Sequence, residues 1–344
     1  MKNKPLLTKE AIKRLINEVA SMGGMWIRLT GGEPTLNPDW EEITKYIIKK
    51  GMAPMLYSNG NFYKRENTLK KILKYNWGEF RVTIAGSKQT HESLRIARTG
   101  IVNYDEVIKT IKTLSQNRVN LKVNYTLLKN NLCDVKKMIF EIKKISIETK
   151  NKIVFHIGPL RPFGIPKGIE SLLPTAEDFF ILSKLIHEIQ GKLRKYLEVD
   201  YDFNLFDKQH KREIAPKMFN GDCCGVGKLA LAVNCFGEIQ ICGIMGSNFY
   251  VPGIINMIKK EEKIFGKLGI NKKNIFDYSN VIKDKFKDIW FKSKQFDFFS
   301  KYEKLQCKSC KNYLKNCKGM CPAMALYYSG NMRYGDKSCF KHLM

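Results

Sequence analysis

The stretch "MWIRLTGGEPTLNPDW", Met25 to Trp40, joins a short apolar run to a glycine-rich loop and a new helix. The apolar run predicts a strand, and the pair Asn37-Pro38 predicts the cap and first position of the helix. Gly31 and Gly32 let the backbone approach a ligand, so their carbonyls and the Glu33 carboxylate are candidate acceptors for a ligand ammonium group. The same loop also suits a plain strand-to-helix turn, so these residues alone leave both interpretations open.

Strand and helix patterns alternate on both sides of this stretch. Short apolar strands separated by amphipathic helices predict a parallel α/β domain, followed past residue 195 by a less regular region. Ligands of such sheets bind beyond the carboxyl ends of the strands, where segments 31–34, 58–60 and 85–87 fall. Strands are predicted at 25–29, 54–58, 80–86, 121–128 and 152–158, and helices at 8–22, 38–51, 66–74, 104–116, 133–146 and 175–195.

Charge and hydropathy narrow the choice of partners. The formal net charge is +27, carried by 60 lysines and arginines, of which lysines are the great majority and are spread along the whole chain. Phosphate and base recognition favours arginine, so this distribution disfavours nucleic acid as the partner. No run is long and apolar enough for a membrane span, and the first residues lack a secretory signal pattern. The sequence therefore predicts a cytoplasmic protein without a membrane partner.

The ten cysteines are crowded towards the C-terminus. Cys133 stands alone and is predicted to be a core residue, whereas the other nine follow residue 222. In a cytoplasmic protein such crowding favours metal ligation over disulfides. Thiolates two or three residues apart suit zinc and iron–sulfur centres equally, so the spacing leaves both open. The array runs Cys224-x12-Gly237-x4-Cys242, then Cys307-x2-Cys310-x6-Cys317-x3-Cys321, then Cys339.

The Gly-Gly-Glu-Pro loop and the cysteine array together resemble the radical S-adenosylmethionine (radical SAM) enzymes that carry a C-terminal SPASM domain. Further matching segments are "YSNG" (57–60), "VTIAGSKQTHESLR" (82–95) and "CGVGKLALAVNCFGEIQIC" (224–242). The resemblance implies a partial (β/α)6 TIM-like barrel, over residues 1–200, and a SPASM domain over residues 201–344. It also implies an oxidoreductase or maturase that modifies a peptide or protein side chain through a 5'-deoxyadenosyl radical, with flavodoxin or ferredoxin as reductant.

The resemblance also assigns ligands residue by residue. S-adenosylmethionine (SAM) would lie on Gly31, Gly32, Glu33 and Pro34, near Ser58 and Asn59, with Thr83 and Arg95 at matching positions and Ala85 in place of the family's usual aspartate. Two auxiliary [4Fe-4S] clusters are expected, one on Cys224, Cys242 and Cys321 and one on Cys307, Cys310, Cys317 and Cys339. The fourth ligand of the first cluster is left open between Cys223, Cys235 and a substrate atom.

One family motif is missing. The third, SAM-binding cluster needs a C-x3-C-x2-C loop after the first barrel strand, and no such motif occurs in the sequence. We expect its last cysteine and the first strand to fall before Met1, so that five of six barrel strands are present and the chain as given is inactive. A truncated chain is the favoured explanation. The alternative is a degenerate, non-catalytic binding protein with two four-cysteine zinc sites and a basic surface.

Overall fold

The computed structural model describes residues 6–62, 65–97, 100–101, 103–160, 170–193, 195–202, 229–240, 242, 259–260, 280–293 and 296. Its centre is one sheet of six parallel strands whose spatial order follows the order along the chain. The strands are β1 (Trp26–Leu29), β2 (Ala53–Ser58), β3 (Glu79–Ile84), β4 (Leu121–Leu127), β5 (Ile153–Pro159) and β6 (Leu197–Tyr201).

Helices connect these strands. They are α1 (Lys9–Ser21), α2 (Trp40–Lys49), α3 (Glu66–Ile72), α4 (Lys88–Leu94), α5 (Tyr104–Gln116), α6 (Val135–Thr149) and α7 (Ala176–Leu193). Three short 3-10 segments lie at Pro34–Leu36, Lys129–Asp134 and Glu170–Leu172. Beyond β6, the described residues include a hairpin of two short strands, β7 (Ala232–Val233) and β8 (Ile239–Gln240), and helix α8 (Phe286–Lys292).

The consecutive strand order explains the layering. Right-handed crossovers that all step in the same direction place their helices on one face of the sheet, as in a TIM-like barrel. Alternate strand residues such as Phe80, Val82 and Phe155 are therefore fully buried in one core with Ile111 and Ile139 of the helices. The other face of the sheet forms the inside of the partial barrel.

The predicted strands are confirmed, with shifts of one or two residues at their ends. The prediction of an irregular chain directly after residue 195 was wrong, because "LEVDY" (Leu197–Tyr201) pairs with β5 as a sixth strand. The expected count of five strands was therefore wrong as well. Helix α4 was not predicted. The predicted start of this helix, with Asn37 as cap and Pro38 as the first residue, was also wrong: α2 begins at Trp40, and the Asn37 side chain accepts a hydrogen bond from the Asp39 amide at 2.9 Å within the preceding turn.

The described C-terminal pieces contact the first helix. The Leu7 amide donates to the Cys235 carbonyl at 2.8 Å, and the Phe286 amide donates to the Glu18 carboxylate at 2.5 Å. Arg14 donates to the carbonyls of Val281 and Ile282. Helix α1 thus carries contacts to both β7–β8 and α8. Among the described helices, none has the length and hydropathy to cross a membrane.

Candidate cofactor-binding site

Three loops meet at the carboxyl end of the sheet, because parallel strands all end at the same edge. The loop after β1 carries Gly31 to Pro34, the loop after β2 begins at Asn59, and the turn after β3 contains Ala85 to Ser87. This convergence was predicted from the sequence. The structure adds the contacts that join the loops.

The Glu33 carboxylate joins the first two loops. One oxygen accepts from the Ser58 hydroxyl at 2.9 Å and the Asn59 amide at 2.8 Å. The other accepts from the hydroxyl and amide of Thr35, at 2.6 and 3.3 Å. Four donors fill the usual acceptor positions of a carboxylate. Glu33 therefore holds the loop from inside, and a direct contact between Glu33 and a ligand stays a prediction.

Arg65 supports this arrangement from the start of α3, a role that no sequence pattern indicated. One of its guanidinium nitrogens donates to the Thr35 hydroxyl at 2.6 Å and to the Thr35 carbonyl at 3.0 Å. Thr35 in turn donates to Glu33, and Thr35 and Ser58 are both buried. Charge-assisted hydrogen bonds of this kind are stronger than neutral ones. Arg65, Thr35, Glu33 and Ser58 thus form one connected network beneath the loop.

Gly31 and Gly32 face open space. Gly31 has φ +136°, in a region that residues with a side chain rarely adopt, and a Cβ built on either glycine meets no atom within 4 Å. The backbone here is exposed rather than packed. A ligand can therefore approach both glycine carbonyls directly. The loop fits the methionyl part of SAM, whose ammonium group needs acceptors of this kind.

Hydrogen bonds of the Ala85 backbone hold the turn after β3 in place. The Ala85 amide donates to Nδ1 of the buried His91 at 3.1 Å, and the Ala85 carbonyl accepts from the Asn131 side chain at 2.8 Å. The Ala85 side chain is only 2% exposed, so the residue at this position packs inward. His91 and Asn131 were not predicted as site residues, although Asn131 follows a strand end by the same rule that identified the other loops.

Asp134 fixes the next residue of that turn. Its carboxylate accepts from the Ser87 hydroxyl at 2.8 Å and the Ser87 amide at 3.0 Å. Burial raises the pKa of Asp134, but hydrogen bonds from Thr90 and Ser87 outweigh it and hold the pKa below its ordinary value. The carboxylate is therefore ionised at neutral pH, which keeps the turn in one conformation.

Thr83 and Arg95 flank the same turn. Thr83 is half-buried on the inner face of β3, beside Asn124 of β4. Arg95 follows α4; burial lowers the pKa of its guanidinium, whereas the nearby Glu33 carboxylate raises it. A contact between Arg95 and a ligand carboxylate stays a prediction.

The cysteine array is mostly outside the described residues. Of the predicted ligands only Cys242, after β8, is described, together with the candidate Cys235 at an exposed turn. The other predicted ligands, Cys224, Cys307, Cys310, Cys317, Cys321 and Cys339, and the candidate Cys223, lie outside. The prediction that Cys133 is a core residue was wrong, because it lies in the 3-10 segment after β4 and is exposed.

The residues around the glycine loop fit SAM, but they do not fit a SAM-binding cluster. Such a cluster needs three neighbouring thiolates beside the loop, and residues 1–132 contain no cysteine.

Comparison with known proteins identifies the family of the first part of the chain. Residues 1–142 match the model of the radical SAM superfamily, whose members bind SAM and an iron–sulfur cluster. This chain therefore carries a radical SAM domain.

Similar proteins extend the match over nearly the whole chain. The AdoMet-dependent heme synthase of Methanosarcina barkeri (strain Fusaro / DSM 804) is 25% identical over 97% of this chain and 87% of its own length. The antilisterial bacteriocin subtilosin biosynthesis protein AlbA of Bacillus subtilis (strain 168) is 22% identical over 72% of this chain, which spans half of that protein. Streptococcus suis SuiB bound to S-adenosylmethionine has the same fold, with a TM-score of 0.67 and 14% identity over 98% of this chain and 71% of SuiB.

Proposed function

We propose that this chain is a SAM-binding maturase of the radical SAM superfamily that acts on a peptide or protein side chain. The observation that carries the proposal is the open glycine loop, which Glu33 fixes from beneath. The Gly31 and Gly32 carbonyls accept hydrogen bonds from the SAM ammonium group, and Arg95 binds the SAM carboxylate. Pro34, Asn59 and Thr83 complete the pocket wall, and Ser58 supports it from beneath through its hydrogen bond to Glu33.

The peptide substrate class rests on the relatives. AlbA is a biosynthesis protein for the bacteriocin subtilosin, and SuiB has been solved bound to the precursor peptide SuiA. A heme synthase is also among the similar proteins, so the substrate assignment is less specific than the SAM assignment. A flavodoxin or ferredoxin would supply electrons.

The C-terminal region, residues 201–344, is proposed to be a SPASM domain that holds two auxiliary [4Fe-4S] clusters on the predicted cysteines. Elemental analysis after anaerobic purification tests this assignment. Iron with sulfide and a brown protein would support it. If zinc fills the sites at full occupancy and iron reconstitution fails, the assignment is wrong and the alternative, a binding protein with two zinc sites, takes its place.

A substitution of Gly32 by alanine tests the SAM site most directly. Gly32 is not among the glycines with a positive φ, and nothing lies within 4 Å of an added Cβ, so Gly32→Ala should leave the fold unchanged and place a methyl group where the ligand approaches. We expect SAM affinity, measured by equilibrium dialysis with labelled SAM, to fall roughly tenfold, because a displaced backbone contact is worth about 1 kcal/mol or more.

The matched control is Gly191→Ala. Gly191 lies in α7 and also has open space at its Cβ position, but it is remote from the loop in sequence and element. SAM affinity should be unchanged in this variant. Equal SAM binding by the Gly32→Ala variant and the parent would contradict the proposed site. Because the chain lacks the cluster motif, we expect SAM binding without release of 5'-deoxyadenosine when dithionite is added.

A further inference from the structure

The inner face of the sheet is polar. TIM-like barrels usually fill this space with bulky apolar side chains. Here the strand register aligns Tyr57 with Arg81 and Lys122, and aligns Asn124 with His156. A wall of this composition suits a polar ligand rather than a packed interior.

The carboxylates at one end of this wall are paired. Glu79 accepts from Arg81 at 3.0 Å and lies 3.5 Å from the Lys122 ammonium group. Lys122 also donates to Asp200 at 3.0 Å. All these side chains are about a sixth to a fifth exposed. Their charges therefore neutralise one another within the wall.

The pairing continues through His156 to the mouth of the barrel. Nδ1 of His156 lies 3.0 Å from Asp200, and Nε2 lies 3.3 Å from Asp202. In the described part of the chain, no group of three histidine, cysteine or acidic side chains has the geometry of a metal site. The trio is therefore a hydrogen-bonded group. Each acidic side chain named on this wall has a partner.

Arg28 differs from the other cations of the wall. It is exposed on the inner face of β1, and no described acidic group lies within ion-pair distance of it. Its guanidinium carbon lies 4.5 Å from the ring centre of Tyr57 and 5.1 Å from that of Trp26. Stacking on two rings orients the guanidinium and leaves its edge donors for a planar acceptor.

Tyr57 lies against a second guanidinium group, that of Arg81. The guanidinium carbon of Arg81 lies 4.2 Å from the same Tyr57 ring, so two guanidinium groups flank one aromatic side chain. Burial raises the pKa of the Tyr57 hydroxyl, which keeps it neutral at physiological pH. Since Glu79 balances Arg81, Arg28 is the cation of this wall that has no counter-ion among the described residues.

We propose that Arg28 binds a carboxylate of the substrate, so that the enzyme selects an acidic peptide or protein segment. The guanidinium edge donates two parallel hydrogen bonds to the carboxylate oxygens, and Trp26 and Tyr57 hold the guanidinium in place. Arg28 lies on β1 three residues before Gly31, which brings the acidic group to the cofactor end of the barrel. This inference rests on the proposed function, because it names the substrate class of the same site.

Arginine labelling on the full chain tests the inference. Phenylglyoxal modification of Arg28 and Arg118 is followed by peptide mass spectrometry; Arg118 is an exposed arginine between α5 and β4 and serves as the internal control. A blocked glycine–glutamate peptide should slow labelling of Arg28 several-fold and leave Arg118 unchanged. The matching glycine–glutamine peptide should protect neither arginine. Equal protection of both arginines, or no protection of Arg28, would overturn the inference.

A second arm separates the substrate carboxylate from that of SAM. Arg28→Met should leave SAM affinity unchanged and abolish binding of the glutamate peptide, whereas Arg28→Lys should retain part of it. If Arg28→Met lowers SAM affinity instead, Arg28 belongs to the SAM site and the inference fails. If the parent chain binds the glutamate peptide at Arg28 but binds no SAM, the proposed function fails and the carboxylate site stands.

Discussion

The two faces of the six-stranded sheet differ in kind, although they alternate residue by residue along the same strands. On the outer face, Val82 and Phe155 are 0% exposed against the helices. On the inner face, their direct neighbours Arg81 and His156 belong to a chain of charges. Side chains of a strand alternate between faces, so one strand can serve both purposes. The outer face supplies the stability of the fold, and the inner face is available for binding and chemistry.

The largest expected effect comes from the outer face. Phe155→Ala should lower the free energy of unfolding by about 3–5 kcal/mol, because it removes a fully buried ring and leaves a cavity. Phe155 packs beside Tyr125, with ring centres 5.7 Å apart, so the cavity opens in the middle of the core. Urea unfolding monitored by circular dichroism measures the change. A loss no greater than that of an inner-face variant would break the distinction between the two faces.

A smaller effect is expected on the inner face. Lys122→Met should destabilise the domain by about 1–3 kcal/mol, because Glu79 and Asp200 each lose a partner in a poorly solvated place. The matched control is Lys152→Met: its partner Glu198 also lies on β6, but both side chains are more than half exposed. An exposed pair contributes about 0–1 kcal/mol. Equal unfolding midpoints for the two variants would show that the inner pairs contribute nothing specific.

The sequence predicts the outer face of the sheet more completely than the inner face. Alternating apolar residues identify the outer face, so "FRVTI" and "LKVNYTL" gave correct strands. "LEVDY" was missed because it is short and directly follows a long helix. Helix α4 was missed because only His91 of its seven residues is buried.

The candidate site was likewise predicted only in part. The sequence predicted which loops meet, since strand ends share one edge. It did not predict that Glu33 would bond to Ser58 and Asn59, 25 and 26 positions away. Nor did it predict that His156 of β5 would contact Asp200 on the neighbouring strand β6. Such contacts depend on strand register, which the tertiary structure determines rather than any local pattern.

The smallest predicted effect concerns pH and His156. Burial lowers the pKa of His156, but the hydrogen bonds that its imidazole donates to Asp200 and Asp202 outweigh burial and raise the pKa above its ordinary value of 6.5. Arg81 also acts on the imidazole and opposes the shift, and Lys122 reaches it through Asp200. A raised folded pKa means that this stabilisation is complete below pH 6.5 and is lost as the pH rises through the folded value.

The His156→Gln variant measures this pH-dependent contribution to stability. The difference in unfolding free energy between parent and variant should be largest below pH 6.5 and should shrink in alkaline buffer, by less than the Lys122→Met effect. Asp200, whose pKa the His156 hydrogen bond lowers, gives no loss in that range, because its own contribution disappears only in acid. NMR titration of the imidazole signal that vanishes in the variant reports the folded pKa directly. A signal that titrates at or below 6.5, or a difference independent of pH, would show that His156 is held neutral. A neutral imidazole can donate to only one of its two aspartates, so either Asp200 or Asp202 would then lose its hydrogen bond from His156.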